Sequence, residues 1–146
     1  MHRSTKLFIV AAVVVLLPIT VVAIMSLPSE VKSGTIEDIR WTLFPKDDGK
    51  VLLELRDDYE GCVHEITAKP TGNGAEVMYY TISNKDIGGS RIKFLRYDHG
   101  KIYADSWSGE VLPYAEAMKQ ARSMFVEWMA KIQKAECDSA TKGEKP

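Results

Sequence analysis

The sequence predicts an α+β domain behind an N-terminal transmembrane helix: an antiparallel meander of about six strands packed by one long C-terminal helix. Three observations carry this. Leu7 to Leu27 is a run of 21 residues without a charge. Between Ile39 and Trp107 apolar residues recur with a period of two, the mark of half-buried strands. Past Pro113 the period lengthens to that of a helix. The chain divides accordingly into a basic flank (1–6), an anchor or signal (7–27), a polar linker (28–34), the domain (35–137) and a disordered tail (138–146).

The apolar run would span roughly 31 Å as a helix, about the hydrocarbon thickness of a bilayer. Pro18 is tolerated there, because transmembrane helices accept proline better than soluble ones do. His2, Arg3 and Lys6 precede the run, and mixed charges, Glu30 and Lys32, follow it. A basic flank stays in the cytoplasm, so the domain is expected outside it, in a periplasm or an extracellular space. The alternative is a cleaved signal peptide with Val21-Val22-Ala23 as the cleavage sequence and a secreted product. Apolar character continuing past Pro18 to Met25 favours the uncleaved anchor.

Pro28 to Gly34 reads as linker, and Thr35 and Asp38 have the spacing of a capped helical turn, though this stretch could as easily lead straight into a strand. Ile39, Trp41 and Leu43 then alternate with Arg40 and Thr42 as a first strand, ended by Phe44-Pro45. Asp47-Asp48-Gly49 is a turn, with Gly49 suited to a left-handed position. Val51–Arg56 returns as a second strand, and Val63–Ala68 is a third. Pro70–Gly74 turns the chain into Glu76–Ser83, whose Val77, Tyr79, Tyr80, Thr81 and Ile82 favour pleated structure. Arg91–Tyr97 is a fifth strand, and Asp98-His99-Gly100 turns it into a sixth, Lys101–Trp107. Pro113 suits the first turn of a helix. Tyr114, Met118, Ala121, Phe125, Trp128, Ile132 and Ala135 follow at alternating spacings of four and three, one apolar seam over about 22 residues. That seam suits docking onto the chain's own sheet. The spacing is also heptad spacing, but Ala121, Phe125 and Trp128 are poor coiled-coil residues.

Beyond the run the chain carries 17 basic and 20 acidic residues with interleaved signs. No basic stripe offers itself to a nucleic acid. Cys62 and Cys137 are the two cysteines. Outside the cytoplasm such a pair is expected to form a disulfide, closing a loop of about 75 residues worth ~4.5 kcal/mol by chain entropy.

Catalysis needs convergent nucleophile, base or metal ligands, and the spacings supply none, so no catalytic residue, metal or cofactor is expected. His64 reads as a strand-face residue and His99 as a turn residue. The acids Asp57, Asp58 and Glu60 lack the alternation of a calcium loop. Cys62 and His64 share a strand face, but a bridged cysteine is no nucleophile. What stands out is aromatic: Tyr79, Tyr80, Tyr97, Tyr103 and Trp107 fall on three neighbouring strands. Tyrosine and tryptophan anchor interfaces. The expectation is a non-enzymatic interaction module of the cell envelope, an accessory, assembly or inhibitor-type protein whose partner is another envelope or membrane protein. The alternative is a carrier of a small apolar ligand, with a cavity between sheet and helix lined by Met118, Met124 and Met129.

Overall fold

A computed structural model describes residues 27–85 and 92–143. The 7–26 part of the expected membrane segment therefore lies outside the described residues. Seven strands form one antiparallel sheet in sequence order: β1 (Lys32–Ile36), β2 (Ile39–Pro45), β3 (Val51–Asp57), β4 (Cys62–Thr71), β5 (Gly74–Lys85), β6 (Ile92–Asp98) and β7 (Lys101–Asp105). A helix, α1 (Tyr114–Gly143), follows. This is the α+β meander with a C-terminal helix that the periodicity implies.

Lys32 to Gly34, expected as linker, instead join Thr35 and Ile36 in β1, the strand alternative for that stretch. Lys32 to Ile36 pair with Leu43 to Ile39, and Glu37 and Asp38 form the connecting two-residue turn. Their φ values of 51° and 66° give it the left-handed form that matches strand twist. Gly34 lies opposite Trp41. A Cβ there would sit 2.8 Å from the indole ring, so the glycine lets the ring lie flat over the edge strand. β4 and β5 are longer than their apolar cores and meet at Thr71 and Gly74. Pro70 is thus a strand residue. Ala68 pairs with Val51, the first residue of β3, so Pro70 lies past the end of β3, where its missing N–H has no partner to lose. A register shift between Thr67 and Ala68 leaves Met78 unpaired, a bulge that re-aims the following tyrosines.

β7 ends two residues earlier than the alternation suggests. Ser106 has φ 53° and turns the chain, so Trp107 packs against the core rather than continuing the strand.

On the inner face Trp41, Leu43, Val51, Leu53, Leu55, Ile66, Tyr80, Leu95 and Tyr97 meet Ala117, Ala121, Phe125, Trp128, Met129 and Ile132 of α1. The helix therefore docks on its own sheet, as a layered domain requires. It runs to Gly143, past the expected end near Ala135. Its first turn touches β6, with the Tyr114 and Tyr97 rings 6.3 Å apart. Near its other end Glu136 bonds Lys32 of β1 at 3.3 Å, and Lys131 reaches Glu37 at 3.7 Å. The helix crosses the sheet as a brace.

Candidate functional site

Two constellations stand out, one on each face of the sheet. On the inner side of β4 the strand period puts Cys62 and His64 on one face. His64 Nε2 lies 3.3 Å from Cys62 Sγ, and its Nδ1 lies 2.8 Å from Tyr80 Oη on the neighbouring strand. The Tyr80 and His64 rings stack at 5.9 Å, and Tyr80 stacks in turn on Tyr97 at 5.8 Å. Gln120, from α1, donates to Tyr80 Oη at 3.5 Å. With Gln120 donating, the Tyr80 hydroxyl is free to donate to Nδ1, which leaves the imidazole proton on Nε2, facing the sulfur. A polar chain thus runs from helix to sheet, Gln120 to Tyr80 to His64 to Cys62.

Its electrostatics oppose nucleophilic chemistry. Burial pushes the His64 pKa down, with Asp57 pulling weakly the other way. Burial, then Glu60 and Asp57, push the Cys62 thiol up. A thiolate–imidazolium pair needs both shifts reversed. Burial also raises the Tyr80 phenol strongly. All three groups therefore rest neutral near pH 7, as a hydrogen-bonded core element.

The outer face is the second constellation. Cross-strand register lines up Thr42, Glu54, Glu65, Thr81, Arg96 and Tyr103 in one row from β2 to β7. Glu54 and Glu65 lie directly opposite each other. Burial, then Glu54, raises the Glu65 pKa, and Arg56 bonds Glu54 at 3.2 Å. Toward β7, Arg96 lays its guanidinium 4.4 Å over the Tyr103 ring, a cation–π contact. Arg96 Nε is buried and has no hydrogen-bond partner among the described residues. Tyr79, in the next row, meets the His99 ring edge-on at 5.6 Å.

The five aromatics named as candidates for partner binding divide between the two faces. Tyr79 and Tyr103 are 38% and 42% exposed on the outer face. Tyr80 and Tyr97 are at 0%, core residues that offer a partner no surface, and the Tyr97 hydroxyl donates to the Leu112 carbonyl. Trp107 packs at the edge of the core. Alternation puts Tyr79 and Tyr80 on opposite faces, and the bulge sets which of the two faces α1.

No bond joins Cys62 and Cys137 in the structure. Cys62 opens β4. Cys137 follows Glu136, which is tied to β1, three strands away in the sheet order. That is roughly 14 Å across the sheet, where a bridge needs Cα atoms about 5.5–6 Å apart. In this arrangement the two sulfurs do not meet.

Asp57, Asp58 and His99 have structural partners. Asp57 accepts from the Tyr59 and Glu60 N–H groups, and Asp58 pairs with Arg40. His99, in the β6–β7 turn, contacts Asp98. Among the described residues no three His, Cys, Asp or Glu converge as metal ligands, and no helix is long and apolar enough to cross a membrane.

Open grooves of about 500 Å³ flank α1, one by Ala75, Val77, Met118 and Arg122, the other by Gly34, Trp41 and Ala135. Among the described residues the space under the helix is filled. Phe125 is 1% exposed and Ile66 and Leu53 are at 0%, and the gap beside Met129 is about 10 Å³. Gln120 is the member of the inner chain that sequence reasoning missed. The helical seam puts it on the solvent side, and only its reach to Tyr80 reveals it.

The fold and its two faces define a one-sheet α+β meander with a helix over one side. Compared with family models, curated proteins and solved structures, the chain matched none.

Proposed function

We propose that this chain is a non-enzymatic interaction module of the cell envelope, an accessory, assembly or inhibitor-type protein tethered by residues 7–27 or secreted. Its partner is another envelope or membrane protein, and its docking surface is the outer face of β5–β7. The observation that carries this reading is the asymmetry of the sheet. α1 packs on the inner face, while the opposite side presents Tyr79 and Tyr103 around Arg96. Tyrosine and arginine are the residue types that dominate interface energetics. The charge-free run at 7–27 supports the location. The carrier reading has less support, since it needs an enclosed apolar pocket and the side chains beneath α1 are close-packed.

The test is photo-cross-linking in intact membranes. A photoreactive amino acid replaces Tyr79 or Thr81 on the outer face and, as control, Val126 on the exposed side of α1. Capture of one envelope protein from the first two positions and not from Val126 is the expected result. Equal capture from all three, or none, refutes the reading.

A further inference from the structure

We propose that β7 is the pairing edge of a twofold homodimer, in which two copies join their sheets through antiparallel Lys101–Asp105 segments centred on Tyr103. This goes beyond the outer-face reading: it uses the rim of the sheet, and the occupant is a second copy of this chain.

A sheet has two rims, and the two here differ. β1 is flanked by the end of α1, through Lys32–Glu136 and Lys131–Glu37. Among the described residues β7 pairs only with β6, and all five of its residues are exposed, with Ile102 at 39%. An exposed edge is a template for another strand.

The register of the hairpin says which backbone groups are offered. His99 and Gly100 have φ 47° and 78°, a two-residue turn closed by the pair Asp98–Lys101. In such a hairpin the closing pair exchanges both hydrogen bonds, and pairs alternate from there. Lys101, Tyr103 and Asp105 therefore bond back to β6. Ile102 and Ala104 direct their N–H and C=O groups outward.

An incoming antiparallel copy satisfies all four outward groups when Ile102 of each chain faces Ala104 of the other. That register puts Tyr103 opposite its own copy. It also puts Lys101 opposite the second copy's Asp105 at both ends, at close non-hydrogen-bonded positions. Opposite charges at such positions stabilise pairing, and like charges oppose it. The sequence Lys-Ile-Tyr-Ala-Asp is thus complementary to itself in the register that satisfies all four outward groups. The charged ends, which guard an edge strand against other partners, become ion pairs with a second copy. Lys101, Tyr103 and Asp105 share the outer face, so the Arg96–Tyr103 stack of each copy would meet its mate across the axis.

The test uses the full chain in its membrane, with both native cysteines replaced by serine. Tyr103→Cys, Ile102→Cys and Ala104→Cys are each oxidised. Facing positions bring Cβ atoms to about 5 Å and diagonal ones only to about 7–8 Å. Tyr103→Cys is therefore expected to give a disulfide-linked dimer on the order of tenfold more efficiently than its neighbours. Lys101→Glu puts carboxylates opposite each other twice per dimer and is expected to weaken association about tenfold. Adding Asp105→Lys restores it, because the exchanged ends are again complementary. Equal cross-linking at all three positions overturns the proposal. So does failure of the double exchange to restore the dimer, or a cross-linked product holding a different protein.

Discussion

His64 should make the stability of this fold depend on pH in a window where little else titrates. Burial holds its folded-state pKa below the ordinary 6.5. Between those two values the unfolded chain binds a proton that the folded chain does not. The stabilising contribution is complete above pH 6.5 and is lost as the pH falls toward the folded pKa. The slope cannot exceed about 1.4 kcal/mol per pH unit for one proton. For a domain of this size that ceiling corresponds to a fall in Tm of at most roughly 4–8 °C over the first unit below 6.5. The structural cause is specific. A proton on Nδ1 would face the Tyr80 oxygen, which already accepts from Gln120, and the phenol hydrogen would lose its acceptor.

The assay is thermal or urea unfolding followed by tryptophan fluorescence at constant ionic strength, pH 7.5 to 5.5, for the parent and His64→Gln. Glutamine can donate and accept but does not titrate here. Glu65, raised by burial and by Glu54, acts with the opposite sign at the acid end, and Asp58, lowered by Arg40, acts lower still with the same sign as His64. Both are common to the two proteins and cancel in the difference. The parent should lose stability on acidification and the variant should lose less. Parallel profiles would refute the assignment.

Other outcomes follow from the packing. Phe125→Ala removes a ring that is 1% exposed at the centre of the helix seam and should cost about 3–5 kcal/mol in urea unfolding. Gly34→Ala places a methyl 2.8–2.9 Å from the Trp41 indole, and a buried ring has little room to move. A loss of about 1–3 kcal/mol is expected, with a change in tryptophan emission. Both cysteines should alkylate without reductant, the exposed Cys137 faster than the half-buried Cys62, whose thiol is pushed up by burial and then by Glu60 and Asp57. Labelling that appears only after reduction would show instead that the bridge forms.

The strands that bury one face were legible in the sequence. Ile39–Leu43, Val51–Leu55 and the helical seam through Phe125 announce themselves by period, because burial of one face imposes it. β1 was not legible. An edge strand lying against a single indole needs no apolar alternation, and Lys-Ser-Gly-Thr-Ile reads as linker until Trp41 is seen over Gly34. The last turns of α1 were missed for a related reason. Beyond Ala135 the helix passes beside β1 at the rim of the sheet, where Glu136 holds it by charge and no seam is required. The inner site was half legible: Cys62 and His64 share a face by simple alternation. Tyr80 joined them only because the pairing of β4 with β5 brings residues 16 apart to 2.8 Å. The bulge in the same pairing set which of Tyr79 and Tyr80 is core and which is surface.

The brace across the sheet has a consequence for biogenesis. Each strand pairs with its neighbours in sequence, so the meander can zip together as the chain emerges from a ribosome or a translocation channel. The 30-residue helix that covers it comes last. Until it arrives, Leu43, Leu53, Ile66 and Tyr80 face water on a sheet with no lid, the kind of intermediate that aggregates or recruits a holding chaperone. A nascent chain arrested before Tyr114 should therefore be captured by such a factor, and one released past Gly143 should let it go.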